Sequence, residues 1–311
     1  MSAEVSHKAV LLKEAVAALI TDTEGLYIDG TFGRGGHSGL ILSQLSGTAS
    51  LMAVDKDPEA CDVARNKFSA DPRFDITQTT FADIRTLVET RKYAGKITGV
   101  LLDLGVSSPQ IDDPDRGFSF LRDGPLDMRM NPDCGVSAAD WLSTANVDDI
   151  AQVLKDYGEE RYSKRIARAI VSARTVKPIT RTRQLADIVK EANPSWEKDK
   201  HPATRAFQGI RIFINKELKD LESVLPDILE VLAVGGRLVI ISFHSLEDRI
   251  VKRFIRDQVK GKALPKGLPI MEKDIIRRLC SIGKAIKPSQ SEVRENKRAR
   301  SAVMRVAEKL I

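Results

Sequence analysis

A glycine-rich segment near the N-terminus constrains the fold of this chain more than any other feature. The short apolar run Tyr27-Ile28 leads into Asp29, and four glycines follow within seven residues, at positions 30, 33, 35 and 36. A helical pattern begins directly afterwards. Strand, tight turn and helix start in this order are typical of a nucleotide site at the edge of a parallel sheet. Because glycine lets backbone N–H groups approach a ligand closely, the segment predicts a ligand-binding loop.

The charge of Asp29 narrows the choice of ligand. A carboxylate would repel a pyrophosphate, whereas it suits a ligand with cationic and hydroxyl groups. S-adenosylmethionine has such groups: an ammonium, a sulfonium and ribose hydroxyls. The dinucleotide pattern also fits imperfectly, because Ser38 stands where its third glycine or alanine belongs. We therefore expect Asp29, Gly33, Gly35 and Gly36 to contact a ligand of this kind, with an ordinary structural turn as the alternative.

Three further apolar runs, at residues 51–54, 74–78 and 99–104, predict more strands of an α/β sheet. The first ends at Asp55, where an α/β nucleotide site holds ribose hydroxyls. Phe81 follows the second and is placed to cover an adenine, although simple burial in the core is an equally good interpretation. Asp103 lies near the end of the third. A carboxylate at the buried end of a strand is costly unless it has a task, so Asp103 is a candidate site residue.

The pattern changes from strands to helices between residues 111 and 215. A strand pattern returns at residues 237–243, after a helix at 215–232 and a glycine turn, and residues 303–306 predict a last antiparallel strand. We therefore predict a helical domain inserted between the fourth and fifth strands. The predicted domains are residues 1–110 and 213–311, which form the sheet, and residues 111–212, which form the insertion.

Basic residues are concentrated in the predicted insertion. The net charge is +6 and the pI is near 9.1, which favours a polyanionic partner. Between residues 161 and 190 there are nine basic residues and one acidic residue. Four of them recur at helical spacing and are expected to share one helix face: Arg161, Lys164, Arg165 and Arg168. This basic stripe is a candidate RNA-phosphate contact, although a charged helix face is often only solvated.

Composition excludes several other classes of protein. The 311 residues are 42% hydrophobic and 30% charged, as in ordinary globular proteins. The three cysteines, Cys61, Cys134 and Cys280, have no metal-site spacing, so we expect neither a disulfide framework nor a metal site. No run approaches the length of a membrane span, and the first residues lack a signal-peptide pattern. A cytoplasmic protein without a membrane partner is expected.

Ordered blocks along essentially the whole chain resemble the bacterial RsmH (MraW) family of small-subunit ribosomal RNA methyltransferases. The blocks lie at residues 7–12, 29–38, 55–57, 103–110, 116–120, 125–130, 205–211 and 242–249. The resemblance implies a Rossmann-like class I methyltransferase sheet with an inserted helical substrate-recognition domain. It implies S-adenosyl-L-methionine as the cofactor and N4 of a cytidine in the decoding region of 16S rRNA as the target. The cofactor contacts that it implies are Gly35, Gly36, His37, Asp55, Phe81, Asp103 and Gln110.

The chemistry of an amino group suggests the catalytic candidates. The N4 lone pair of cytosine is delocalised into the ring, so an acceptor for the amine protons would assist its attack on the sulfonium methyl. The segment Ser107-Ser108-Pro109-Gln110 is similar to the Asp/Asn/Ser-Pro-Pro-aromatic motif of amino-methyltransferases, but it lacks the second proline and the aromatic residue. Asp103 or Ser108 is therefore the candidate acceptor. Phe243 or His244 is a candidate for contact with the base, and the alternative is that this pair only packs at the edge of the core.

Other interpretations of the sequence stay open at this point. A DNA cytosine-N4 or adenine-N6 methyltransferase would use the same cofactor and the same chemistry. A non-catalytic RNA-binding or ribosome-assembly protein is a second alternative, and a nicotinamide-dependent oxidoreductase is a third. The expected partner is 16S rRNA within the small ribosomal subunit, and the oligomeric state stays open between a monomer and a homodimer.

Overall fold

The computed structural model describes residues 9–195, 201–261 and 276–311, and the chain divides into two compact units. The first unit is Met1–Gly105 with Leu218–Ile311, and the second is Val106–Glu217. The sequence placed these boundaries after residues 110 and 212 instead. The second unit extends further because helix Ala203–Asn215 packs on other helices of that unit. Residues 7 and 8 of the first matching block lie outside the described residues.

Seven strands form one sheet within the described part of the first unit. They are β1 (Leu26–Asp29), β2 (Ser50–Asp55), β3 (Phe74–Gln78), β4 (Ile97–Asp103), β5 (Leu232–Ser242), β6 (Leu279–Ser281) and β7 (Val303–Lys309). Their order is β3-β2-β1-β4-β5-β7-β6, in which β1 to β5 are parallel and β7 is antiparallel to both of its neighbours. The predicted α/β fold of the class I methyltransferase type is therefore confirmed.

The strand order creates a ligand-binding edge beside β1. The chain runs from β1 outward through β2 and β3, and then returns to add β4 and β5 on the other side of β1. Loops that leave the carboxyl ends of β1 and β4 therefore diverge to opposite sides of the sheet. In open parallel sheets, ligands bind in the crevice at such a switch point.

Helices cover the faces of this sheet. They are α1 (Leu12–Leu19), α2 (Gly36–Gln44), α3 (Pro58–Phe68), α4 (Ile84–Thr90), α11 (Glu217–Val231), α12 (Ser245–Lys260) and α13 (Gln290–Glu295). α3 shows why a helix starts where it does. The side chain of Asp57 accepts a hydrogen bond from the N–H of Glu59, and Pro58 occupies the first turn, where its missing N–H costs nothing.

The second unit is helical, as the sequence predicted. Its helices are α5 (Ser108–Asp112), α6 (Ala138–Thr144), α7 (Val147–Asp156), α8 (Ser163–Val176), α9 (Thr182–Ala192) and α10 (Ala203–Asn215). The side chains of Ser137 and Asn146 cap α6 and α7 by accepting backbone N–H groups. Apolar residues at helical spacing, such as Ile166 and Ile170 on α8, form a separate core for this unit. No helix among the described residues of either unit is long and apolar enough to cross a membrane.

Candidate functional site

Three aspartates end adjacent strands at the switch point. Asp29 ends β1, Asp55 ends β2 and Asp103 ends β4. In the strand register, Asp29 lies opposite Ala53 and Leu101. Asp55 and Asp103 therefore extend two residues further toward the crevice, and Asp29 lies beneath them. The structure brings together the three carboxylates that the sequence singled out, at two different depths.

Asp29 holds the glycine loop from below. Its side chain is 1% exposed, accepts the hydroxyl of Ser38 at 2.6 Å through Oδ2, and accepts the N–H of Thr31 at 3.1 Å through Oδ1. Burial raises the pKa of Asp29, and these two hydrogen bonds oppose that rise. The serine that broke the dinucleotide pattern thus supplies a donor to a buried carboxylate. A direct contact between Asp29 and the cofactor stays a prediction.

The glycine loop adopts backbone conformations that favour glycine. Gly33 and Gly35 have φ values of 56° and 71°, in the left-handed region. The N–H of Gly33 donates to Oδ2 of Asp55 at 2.7 Å, which ties the loop to the end of β2. Gly36 is the first residue of α2, so the N-terminus of this helix points into the crevice edge of the sheet.

Gly35→Ala is expected to destabilise the loop by about 2 kcal/mol or more, because a left-handed Ala is strained and its Cβ has no room. That Cβ would lie 2.6 Å from the Phe32 ring. Gly39→Ala is the matched control: its Cβ would meet Phe68 at an ordinary 3.5 Å, and Ala is the better helix former. Thermal unfolding of both variants checks this. Equal Tm values for the two variants would contradict the constraint at Gly35.

Asp55 is held in place by two backbone amides. Besides the N–H of Gly33, it accepts the N–H of Asp57 at 2.9 Å through Oδ1. Burial raises the pKa of Asp55 to about 6. The hydrogen bonds from the two amides lower this pKa, and the nearby negative charges of Asp57 and Asp29 raise it. Each carboxylate oxygen keeps a further lone pair, so the fixed carboxylate is able to accept ribose hydroxyls.

Phe81 lies near an ion pair that Lys56 forms with Asp220. It is partly buried against the core of the sheet, and the ammonium of Lys56 lies 5.9 Å from the centre of its ring. Lys56 donates to Asp220 at 2.5 Å, and the hydroxyl of Thr80 donates to the same carboxylate at 3.0 Å. The ring therefore packs on the core and is only partly buried. Its contact with an adenine stays a prediction.

Asp103 has a side-chain oxygen that lacks a hydrogen-bond partner in the part of the chain that the structure describes. Its Oδ1 is buried and has no hydrogen-bond partner among the described residues, whereas its backbone N–H donates to the hydroxyl of Thr31 at 2.6 Å. Burial, and then the carboxylates of Asp29 and Glu247, raise the pKa of Asp103 well above its ordinary value. A cation in the crevice would relieve this crowding of negative charge, so the arrangement suits an ammonium or a sulfonium.

His37 lies against Asp103 but does not neutralise it. Its Nδ1 is 3.6 Å from Oδ2 of Asp103, which is beyond an ordinary hydrogen bond, and its Nε2 has no partner among the described residues. Burial lowers the pKa of His37 to about 4. The imidazole is therefore neutral near pH 7, and it is able to donate to or accept from a bound ligand.

The end of β5 carries Phe243 and His244, the two candidates for contact with the base. Phe243 lies beside the end of β4, where a Cβ at Gly105 would be 3.8 Å from its ring. His244 caps α12: its Nδ1 accepts the N–H of Glu247 at 3.4 Å, while its Nε2 lies 3.0 Å from Oε1 of the same residue without the geometry of a hydrogen bond. The structure therefore gives His244 a positioning contact, and its contact with substrate stays a prediction.

Ser108 and Gln110 belong to the second unit. They lie on α5, where Oε1 of Gln110 accepts the N–H of Ser107 at 2.9 Å in a capping box. The motif-like segment 107–110 thus forms the start of a short helix. Gln110 is 5% exposed. The predicted roles of Ser108 with the amine and of Gln110 with the cofactor stay predictions.

The basic stripe lies partly outside its helix. Lys164, Arg165 and Arg168 are exposed on α8, but Arg161 precedes the helix, which begins at Ser163. The prediction that all four share one helix face was therefore wrong for Arg161, whose guanidinium lies over the ring of Tyr162.

The turn before α8 explains the shorter helix. Glu159 has a left-handed φ of 49°, and the side chain of Glu160 accepts the N–H of Tyr162 at 2.9 Å. In an ideal helical repeat these residues would form the first turn of α8, but here they form a separate turn before it.

Sequence reasoning missed four side chains that position the site: Thr31, Lys56, Asp220 and Glu247. Glu247 is 2% exposed, and its Oε2 accepts the N–H groups of Phe243 at 2.7 Å and His244 at 3.2 Å. A glutamate at the third helical residue is the available signal, since that is the capping-box position, but histidine is an unusual residue to begin such a box. Asp220 meets Lys56 only in the folded chain and has no local signal.

Residues 4–310 of this chain match the family model described as the MraW methylase family. Among solved structures, the chain is similar to a putative rRNA-methylase from Clostridium thermocellum, with 9% identity, coverage of 98% of this chain and 100% of that chain, and a TM-score of 0.46. It is also similar to an rRNA methylase from Streptococcus thermophilus, with 13% identity, coverage of 96% and 92%, and a TM-score of 0.40. A putative methyltransferase from Streptococcus mutans in complex with SAH is 13% identical, with coverage of 95% and 93% and a TM-score of 0.41.

Proposed function

Because this chain belongs to the MraW methylase family, we propose that it transfers a methyl group from S-adenosyl-L-methionine to N4 of a cytidine in the decoding region of 16S rRNA. That the chain is a methyltransferase with S-adenosyl-L-methionine as its cofactor follows from the family; the cytidine and its position are the proposal. The observation that supports it best is the buried, unpartnered Oδ1 of Asp103 at the switch point of the sheet.

The residues of the crevice fit this cofactor. Asp55, which two backbone amides hold in place, would accept the ribose hydroxyls, and Phe81 would cover one face of the adenine. The glycine loop and the start of α2 would hold the methionine end of the cofactor, together with the neutral His37. The crowded carboxylate of Asp103 attracts the positive charge of the ligand.

The reaction exchanges one bond for another. When bound, the cofactor supplies an electrophilic methyl group on a sulfonium. The N4–methyl bond forms as the sulfur–methyl bond breaks, S-adenosylhomocysteine leaves, and the amine loses one proton. Asp103 is proposed to stabilise the positive charge that develops on N4 or to accept the proton that N4 loses, with Ser108 as the alternative acceptor. Phe243 and His244 are proposed to hold the base.

The target cytidine must leave its stack to reach the crevice. Unstacking costs a few kcal/mol, and contacts with RNA phosphates offset this cost. We assign these contacts to the basic stripe of the second unit, in which Lys164, Arg165 and Arg168 are exposed on α8. Arg161 is exposed in the turn that precedes this helix. The proposed substrate is the 16S rRNA in the small subunit, which would place the protein in the cytoplasm, and a homodimer remains part of the proposal.

Reversing two charges of the stripe tests this assignment. Arg165→Glu with Arg168→Glu is expected to weaken RNA binding by about tenfold or more, because two phosphate contacts become repulsive. Affinity for the cofactor should not change. Fluorescence anisotropy with labelled RNA and calorimetry with the cofactor measure the two quantities.

The control reverses two other exposed charges of the second unit, Lys155 and Lys177. Lys155→Glu with Lys177→Glu makes the same change in net charge outside the stripe. If both double variants lose RNA affinity equally, the effect comes from overall charge, and the stripe has no special role.

The proposed reaction is tested by transfer of tritium from labelled S-adenosyl-L-methionine to undermethylated small subunits, followed by nucleoside analysis. Label recovered as N4-methylcytidine supports the proposal. Label on free DNA and none on small subunits would favour a DNA amino-methyltransferase. Cofactor binding with no label on either nucleic acid would contradict the proposed substrate but would still support the cofactor site.

A further inference from the structure

A second basic surface lies in the first unit, outside the cofactor crevice. A cleft of about 400 Å³ opens between α12 and the edge of the sheet formed by β6 and β7. Its basic lining residues are Lys252, Arg256, Lys260, Lys284 and Arg305, and its apolar lining residues include Ile255, Val259, Ile282 and Val306. No acidic residue lines the described part of this cleft.

Helical spacing produces one wall of the cleft. Lys252, Arg256 and Lys260 follow one another at intervals of four residues on α12, so they lie on the same face. Ile255 and Val259 are neighbours on that face and form an apolar floor beneath the charges. A cationic row above an apolar strip is suited to a ligand that is both anionic and partly apolar.

An irregular edge of the sheet produces the other wall. The N–H of Ile282 donates to the carbonyl of Val306 at 2.9 Å, and Ile286 forms an isolated bridge with Met304. Between these two pairs, three residues of this segment lie opposite a single residue of β7. The three are Gly283, Lys284 and Ala285, and the single residue is Arg305. This segment therefore bulges out of the sheet edge, with Gly283 at a left-handed φ of 68°, and brings the exposed Lys284 to the cleft.

Three of the five cations keep an unbalanced charge. Arg305 is paired with Asp248 at 2.7 Å, and Arg256 is paired with Asp257 at 2.8 Å. Lys252, Lys260 and Lys284 form no ion pair with another residue in the described ranges, and all three are exposed. An unbalanced triad of ammonium groups around one cleft favours an occupant with several negative charges.

We propose that this cleft binds a single-stranded segment of the substrate RNA, with phosphates on the three lysines and a base against the apolar floor; the proposal rests on the proposed function. The volume lies in the range of pockets that hold a small molecule, which here is about one nucleotide. No aromatic ring lines the described part of the cleft, so charge rather than base stacking dominates, and binding should depend strongly on salt and weakly on sequence.

The triple variant Lys252→Gln, Lys260→Gln, Lys284→Gln tests the proposal. With a short fluorescent single-stranded RNA, we expect an affinity about tenfold lower than that of the wild type. We also expect the slope of log K against log salt to fall by about two, since each phosphate contact to a single strand contributes about 0.7. The control variant Lys13→Gln, Lys96→Gln, Lys155→Gln removes three exposed charges elsewhere. Equal losses in both variants would overturn the proposal.

Lysine footprinting on the wild-type protein provides a second measurement. RNA is expected to protect Lys252 and Lys284 from an acetylating reagent while Lys13 stays reactive, and poly-glutamate at equal ionic strength should protect them less. Protection by poly-glutamate but not by RNA would overturn the proposal in favour of an acidic protein partner. Both measurements report RNA binding directly, so they remain decisive even if the methylation assay fails to show transfer to rRNA.

Discussion

Asp103→Ala is expected to lower methyl transfer to N4 of cytidine by about 100-fold or more at saturating cofactor, the scale of a lost acid-base or charge-stabilising group. The carboxylate ends β4 at the crevice, and its Oδ1 has no hydrogen-bond partner among the described residues. In the proposed reaction a positive charge develops on N4 during attack, and the alanine variant lacks the carboxylate that would stabilise it. Tritium transfer with nucleoside analysis measures the loss.

Two further variants sharpen this experiment. Asp103→Asn keeps the shape and one acceptor oxygen but removes the negative charge, so a loss comparable to that of Ala identifies charge as the essential property. Asp62→Ala is the control, since Asp62 is an exposed carboxylate on α3 that pairs with Arg65. If Asp103→Ala stays within about threefold of Asp62→Ala, a margin far below the effect of an acid-base group, Asp103 has no role in the chemical step.

The carboxylate of Asp103 is also expected to destabilise the folded protein when no ligand is bound. Burial and the carboxylates of Asp29 and Glu247 raise the pKa of Asp103 in the folded state, so its contribution to stability is lost as the pH rises through that pKa. Asp103→Asn is therefore expected to unfold at a higher temperature than the wild type at alkaline pH while being less active. Such an exchange of stability for activity is common where a site stores unpaired charge.

The elements of the sheet could be predicted from the sequence because their signals are local. Apolar runs that end at Asp55 and Asp103 marked strands and their carboxyl ends, and glycines marked the loop. The glycine pair at 235–236 was predicted as a turn before β5, but in the structure it lies within the strand. The register jumps there, since Ile97 pairs with Leu232 and Gly99 pairs with Arg237. A bulge and a turn share the same glycine signal, and only pairing with β4 distinguishes them.

Contacts between distant segments could not be predicted in this way. β6 has only three residues, and its pairing with β7 rather than its own composition makes it a strand. Lys56 meets Asp220 because α11 returns to the sheet after the inserted unit. The depth of Asp29 also depends on register, which places it two residues below the ends of β2 and β4. A sequence pattern shows that a carboxylate ends a strand, but not which neighbouring strands extend past it.

Asp55→Ala is expected to weaken cofactor binding by about 100-fold or more, because the variant removes charge-assisted hydrogen bonds worth about 1.5 to 3 kcal/mol each. The effect should exceed the loss of a ribose contact alone. Asp55 also accepts the N–H groups of Gly33 and Asp57, so both the glycine loop and the start of α3 lose an anchor. Calorimetry with S-adenosyl-L-methionine measures the affinity, and Asp62→Ala is again the control.

The pH dependence of binding tests whether this carboxylate acts in its ionised form. Burial raises the pKa of Asp55 from an ordinary 3.8 to about 6 in the folded protein. Its contribution to the stability of the free protein is therefore complete below pH 3.8 and is lost as the pH rises through 6. Binding of ribose hydroxyls requires the ionised carboxylate, because protonation removes one of its hydrogen-bond acceptor sites. Cofactor affinity should thus rise with pH through this window.

A ligand that needs the ionised carboxylate must displace its proton. Cofactor binding near pH 6 is therefore expected to release protons, which appears as a dependence of the binding enthalpy on the ionisation enthalpy of the buffer. Asp55→Asn should bind more weakly and lose the part of this dependence that comes from Asp55. If Asp55→Asn released as many protons as the wild type, Asp55 would keep its protonation state on binding, and the ribose hydroxyls would have to be held by another group.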